Sequence, residues 1–202
     1  MSSALFSLTR LLFVTFLLCR VSNGAEIADL DLARMLANTE TRQRAIQLIA
    51  AAPSTKLPLL IAWSLRPPAH MDEFNLRVGL MDAFGELKSK EAIPFLVKNI
   101  SRQRTLVGDA NIFMKTEESV ESRVPAVAAL IKIGPDCLPV LYGHYSTAPL
   151  EDRIATIIVV SRIAATMTDP SNPKGFLASV AGETNMIHSW AEDGLKHLNA
   201  PK

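Results

Sequence analysis

The sequence predicts an all-α chain: an α-α superhelix, or α-solenoid, of about four helical hairpins behind an N-terminal export signal. Three observations carry that expectation. The pattern apolar–Pro–apolar–Leu is written three times, as Leu57-Pro58-Leu59-Leu60, Ile93-Pro94-Phe95-Leu96 and Leu138-Pro139-Val140-Leu141. Each copy follows a polar turn, and each turn follows a run whose apolar residues recur at helical spacing. The prolines lie 36 and 45 residues apart. That spacing marks stacked helical units, none of which can bury its apolar face alone.

The opening residues form a separate element. Arg10 precedes the apolar run Leu11-Leu12-Phe13-Val14-Thr15-Phe16-Leu17-Leu18, which is too short to span a bilayer comfortably. Small residues follow, Ser22-Asn23-Gly24-Ala25. A basic start, a short apolar block and a small-residue exit describe a secretory signal peptide over residues 1–24, cut after Gly24 or Ala25. Left uncut, the same run would tether the chain to a membrane. Cys19 resembles a lipid-attachment cysteine, but Leu18 stands where a small residue is required.

The 202 residues are 49% apolar, enough for one domain with a real core. There are 21 basic and 20 acidic residues, and cleavage removes Arg10, Arg20 and no acid. The mature chain, 25–202, therefore carries a formal charge of −1, which gives no bulk attraction to nucleic acid or anionic membrane. It keeps one cysteine, Cys137, so no internal disulfide can form after cleavage. Burial is the expected fate of that thiol.

Along the chain, residues 26–37 read as a short amphipathic helix capping the first hairpin. In the second copy Phe74, Val78, Met81 and Gly85 share a face, with Leu80, Phe84 and Leu87 beside them. In the third, Val120, Val124, Val127 and Ile131 do the same. Arg44, Arg77 and Arg123 precede the three prolines at similar distances. The turns are expected at Pro53-Ser54-Thr55, Ser89-Lys90 and Gly134-Pro135-Asp136, where Gly relaxes a helix exit and Ser, Thr or Asp caps the next start. Proline in a first turn removes only an N–H that had no partner. Each Leu-Pro or Ile-Pro is therefore expected to open a second helix.

Residues 66–71, with Pro67-Pro68, are expected as a linker. Residues 101–119 are longer than a connection between such hairpins needs. They read as a projecting loop or a small β-hairpin around Gly108-Asp109, with "RTLV" and "NIFM" as arms, and form the best candidate binding element. Residues 150–166 contain Ile157-Ile158-Val159-Val160, compatible with a buried strand, but their length and acidic start favour a helix. Residues 168–175 are expected as an enlarged turn with a helix from 176, and residues 185–199 as a C-terminal cap helix.

The segments "AVAALIKIGPDCLPVL" and "DAFGELKSKEAIPFLVKNI" resemble HEAT repeats, of the HEAT-like type with Ala-rich first helices. The likeness spans residues 74–100 and 120–145, and more loosely 40–65. Pro125, in or just opening a first helix, fits it too. It implies an armadillo/HEAT-like superhelix whose second helices line a concave face, and it implies no particular ligand. Some HEAT-type proteins are di-iron hydroxylases with His-Glu dipeptides. Here His70, His144, His188 and His197 are followed by Met, Tyr, Ser and Leu. Phycobilin lyases share such repeats, but an export signal does not suit their cytoplasmic role.

No metal-ligand spacing, nucleophile elbow, phosphate loop or dinucleotide fingerprint is written in the chain. Cys137 and His144 on one helix would be separated by about 10.5 Å of rise, beyond hydrogen-bond reach. Asn99-Ile100-Ser101 is a glycosylation sequon. The expected function is an exported, non-enzymatic protein-binding scaffold with no cofactor or metal, secreted or periplasmic, taking an unidentified protein or peptide on its concave face. The binding set is Trp63, Arg66, Lys98, Arg102, Tyr142 and His144, since Tyr, Trp and Arg are typical interface anchors. The alternative is an enzyme, or a regulatory accessory subunit, using the concave groove as a pocket.

Overall fold

A computed structural model describes residues 28–105, 109, 111–183 and 185–199. The signal-peptide expectation and Leu106, Val107 and Gly108 lie outside them. The chain divides into two units, residues 1–32 and 33–202. Of the first, the described residues are 28–32, which begin helix α1 (Asp29–Ala37).

The second unit is all-helical. After the end of α1 come α2 (Arg42–Ala51) and α3 (Pro53–Leu65), then α4 (Glu73–Leu87) and α5 (Ile93–Lys98). A short α6 (Glu117–Arg123) precedes α7 (Pro125–Ile133) and α8 (Leu138–Tyr145). The chain ends in α9 (Leu150–Thr166), α10 (Ser171–Val180) and α11 (Asn185–Asn199). Among the described residues there is no strand. The Ile-Ile-Val-Val run lies in α9, whose residues 154–161 are buried without a break. Such a run suits a helix enclosed on every side.

Local chemistry fixes the ends. Asp72 caps α4, its carboxylate accepting from the Asn75 backbone N–H at 3.0 Å. At the other end Lys88 is left-handed, φ 49°, while Ser89 N–H reaches back to the Phe84 carbonyl at 3.1 Å. Gly134 ends α7 at φ 83°, ψ −149°, a conformation that needs glycine even though the space around it is open. The chain then turns by 110° into Pro135–Tyr145.

The proline rule holds in two copies and fails in one. Pro94 and Pro139 sit at the second positions of α5 and α8. Pro58 lies inside α3, which opens earlier at Pro53, so the expected turn 53–55 is helical and the break falls at Ala52. Pro58 is tolerated because Ser54, whose carbonyl loses its partner, is exposed to water. Two further expectations shift. The "NIFM" arm is a 3₁₀ turn, Ile112–Met114, because Ile112 and Phe113 are drawn into the core. The turn after α9 is shorter than expected, since Asp169 accepts from Ser171 N–H at 3.0 Å and starts α10 there.

Packing follows the order of the chain. The first helix of each pair rests on the next: α2 on α4, α4 on α7, α7 on α9, and α9 on the terminal α11. The second helices α5 and α8 also meet. Small residues permit these approaches. A methyl group built on Gly85 would lie 2.8 Å from the Ala129 Cα, and one on Gly194 would lie 2.2 Å from the Ser161 hydroxyl. Gly175, in exposed mid-α10, has nothing within 4 Å. Gly175→Ala is therefore expected to raise stability by about 0.5–1 kcal/mol through helix propensity alone. A higher urea midpoint with an unchanged slope is the check.

Candidate functional site

Among the described residues after α5, Asp109 gathers several contacts. The Asp109 carboxylate pairs with Lys115 at 2.5 Å and Arg123 at 3.2 Å, and accepts from Asn111 N–H at 3.0 Å. The hydrogen bond from Lys115 is the largest of the effects that hold this carboxyl below its usual range. Gln103 bonds both the N–H and the carbonyl of Asp109, at 2.8 and 2.9 Å. Buried Ile112 and Phe113 then anchor the segment inward, and Thr116 caps α6 through Ser119 N–H at 3.3 Å. From α11, the Trp190 indole N–H donates to the Phe113 carbonyl at 3.1 Å.

This anchoring leaves a groove of about 690 Å³ between residues 115–118 and α11. On α11 it is lined by Met186, Ser189, Trp190, Asp193 and His197, one face of the helix. Phe113 and the segment from Lys115 to Glu118 form the opposite side.

Glu117 is the unusual member. The residue is only 8% exposed, and among the described residues its carboxylate has neither a hydrogen bond nor an ion pair, its oxygens keeping an opening to the groove. Burial pushes its ionisation above the ordinary 4.5, opposed by the charges of His197 and Arg162 and reinforced by Glu118 and Asp193. A carboxyl whose folded value is raised favours the fold when protonated and opposes it once ionised. Its contribution is present below the unfolded value and is lost as pH rises through the folded one. Glu117→Gln is therefore expected to melt above the wild type at about pH 7, with the gap closing below about pH 4. Thermal melts across that range test it.

A smaller groove, about 280 Å³, crosses α2, α4 and α7. At its edge Asp82 bridges Arg104 at 2.7 Å and Arg42 at 3.7 Å. Arg42 also donates to the Leu36 carbonyl at 2.9 Å, and its second terminal nitrogen is buried without a partner. Burial is the main cause lowering the ionisation of this guanidinium.

The six residues of the expected binding set do not behave alike. Trp63 is a correction: at 7% exposure it belongs to the core and offers no surface anchor. Arg66 is exposed just past the end of α3, and Lys98 is exposed at the end of α5. Arg102 lies over the Phe74 ring at 5.8 Å and donates to the Asn99 side chain at 3.0 Å. Tyr142 stacks on Phe176 with centroids 4.6 Å apart, its hydroxyl buried without a partner, and burial raises its ionisation. His144 faces Asp152 at 3.1 Å. Neither groove described above is lined by any of the six. Asn99 of the sequon is buried, and its side-chain nitrogen is already engaged, donating to the Phe95 carbonyl at 2.8 Å.

Cys137 is fully enclosed, in a 3₁₀ turn, with its sulfur against the Gly134 carbonyl at 3.1 Å. Burial pushes its thiol up to about 12. The native chain is expected to resist iodoacetamide at about pH 8 and to react once unfolded, since only the thiolate alkylates. Mass spectrometry before and after urea reads this directly.

The sequence singled out the segment that holds Glu117 but not Glu117 itself. Its one local signal was an acid pair, Glu117-Glu118, at a helix start, where acids are ordinary. Among the described residues no three His, Cys, Asp or Glu side chains converge as a metal ion would require, and no single helix is long and apolar enough to cross a membrane. Compared with protein-family models, curated proteins and solved structures, the chain matches none.

Proposed function

We propose that this chain is an exported, non-enzymatic binding scaffold in which HEAT-like helical hairpins stack into an α-superhelix and take up a protein or peptide. The observation that carries the reading is the serial contact of first helices, α2 on α4 on α7 on α9. Two ion pairs support it, because they join matching places in neighbouring hairpins. Glu86 meets Lys132 near the ends of α4 and α7, and Lys90 meets Asp136 in the following turns, each pair 46 residues apart. That interval agrees with the 45 residues between Pro94 and Pro139. Register of this kind is what repeated stacking produces.

The chemistry present favours binding over turnover. Burial raises the ionisation of the Cys137 thiol and the Tyr142 hydroxyl, and among the described residues no hydroxyl or thiol in the lining of the larger groove is hydrogen-bonded to a histidine. Arg66, just past the end of α3, and Lys98, at the end of α5, remain exposed, as an open binding face requires. Residues 1–24 support the exported address through their signal-peptide pattern.

The test is affinity capture of the mature chain from its own exported fraction, beside a variant lacking the 101–119 segment. A specific partner retained by the first and lost by the second is expected. No specific partner with either would overturn the scaffold reading. An N-terminal sequence beginning at Ala25 or Glu26 is the matching expectation for export, and one beginning at Met1 would contradict cleavage.

A further inference from the structure

We propose that the groove between residues 115–118 and α11 receives an arginine side chain of a partner peptide, with Glu117 as its anionic anchor and Trp190 as its stacking wall. The inference rests on the scaffold reading and names the chemistry its partner must present.

Glu117 supplies the first reason. A carboxylate on a mostly buried side chain is only partly hydrated, and a cation brought to it through the groove is held more strongly than one in open water. The nearby cations are already engaged. Lys115 pairs with Asp109, Arg162 with Glu121 at 3.2 Å, and Lys196 with Asp193 at 3.1 Å. His197 is exposed on the groove's rim. Lys115 and Asp193 also line the groove but are paired with Asp109 and Lys196, so the charge left uncompensated in the lining is that of Glu117 and Glu118, which attracts a cation.

The apolar lining supplies the second reason. Phe113, Met186 and Trp190 suit the methylenes of a long side chain. The Trp190 ring is fixed by its own hydrogen bond to the Phe113 carbonyl, so its face is preorganised rather than free to rotate away. Guanidinium is planar, weakly hydrated and able to stack on indole while pairing with a carboxylate, which an ammonium does less well. Volume supplies the third. At about 690 Å³ the groove exceeds one side chain and leaves space for the flanking backbone, which favours a peptide over a free small amine.

The chain has two tryptophans, so Trp190 can be followed by its indole N–H resonance, with buried Trp63 as an internal control. The purified exported chain is titrated with acetyl-Gly-Arg-Gly-amide, with the same peptide carrying neutral citrulline, and with agmatine. A saturable shift of the Trp190 signal alone is expected, at least about tenfold weaker for citrulline and for the Glu117→Gln variant. Agmatine should bind more weakly than the arginine peptide. Loss of binding in Glu117→Gln is not loss of fold, because that variant is expected to melt higher than the wild type. Trp190→Leu, followed by calorimetry, should weaken the arginine peptide as well. Equal binding of citrulline and arginine, binding unaffected by Glu117→Gln, or agmatine as tight as the peptide would each overturn the proposal. A captured partner indifferent to Glu117→Gln removes this inference and leaves the scaffold standing. Absence of any partner removes the scaffold while leaving the peptide titration intact.

Discussion

Phe84→Ala is expected to cost about 4 kcal/mol, a large part of the roughly 5–15 kcal/mol that holds a domain together. Phe84 is fully enclosed in α4 and meets the Phe95 ring edge-on, with centroids 5.7 Å apart and planes at 71°. Truncation loses the transfer energy of the ring, the edge contact with α5, and the packing of the walls around the space left behind. Alanine's better helix propensity returns only about 0.5 kcal/mol. Because Phe84 joins α4 to α5, the whole unit should be destabilised rather than one end of it. The urea midpoint should fall with little change in slope. Phe84→Leu, which keeps most of the volume, should cost less than about 1.5 kcal/mol.

Gly79→Val should be comparably severe, at about 3 kcal/mol or more, and for a different reason. A methyl group on Gly79 would lie 2.3 Å from the Leu36 carbonyl oxygen and 2.9 Å from its carbon. These are backbone atoms at the end of α1 and cannot rotate aside. The same oxygen accepts the hydrogen bond from Arg42, so pushing it away also unseats a guanidinium that Asp82 helps to hold. Valine adds two more carbons and gains little propensity over glycine. Hydrogen exchange should show residues 33–37 losing protection first while α4 and α7 keep theirs. The contrast with Gly175→Ala is instructive, since both remove a helical glycine and the expected signs are opposite. Surroundings decide the sign.

Much of the helical order was legible because amphipathic spacing and punctuation agree. The stripe of α4, the Gly134-Pro135 break and the span 185–199 all carry local signals strong enough to survive folding. The failures have one cause in common, which is that a local residue can play either of two parts. Proline opens α5 and α8 but rides inside α3, because an exposed helix can present its orphan carbonyl to water. Asp169 looked like part of a long turn until its carboxylate began α10. The "NIFM" segment is short and apolar enough to pass for a strand arm, yet Ile112 and Phe113 are drawn into the core between helices.

The candidate groove was legible only as an overlong segment. What makes it a site is a hydrogen bond between Trp190 and Phe113, residues 77 apart, together with the burial of Glu117. No short window contains that relation. The surface set chosen from residue type failed at Trp63 for the mirror-image reason: an aromatic that suits an interface suits a core equally well. Tyr142 shows the same ambiguity, since its ring is spent on Phe176.

The stacking of successive first helices is the claim on which the scaffold, its binding face and the register of its ion pairs all depend. Gly85 and Ala129 test it where α4 and α7 nearly touch. A carbon-edited nuclear Overhauser spectrum of the folded, assigned chain should show a strong cross-peak between the Gly85 α-protons and the Ala129 methyl group. Absence of that cross-peak, with both resonances resolved and assigned, would contradict the stacked arrangement.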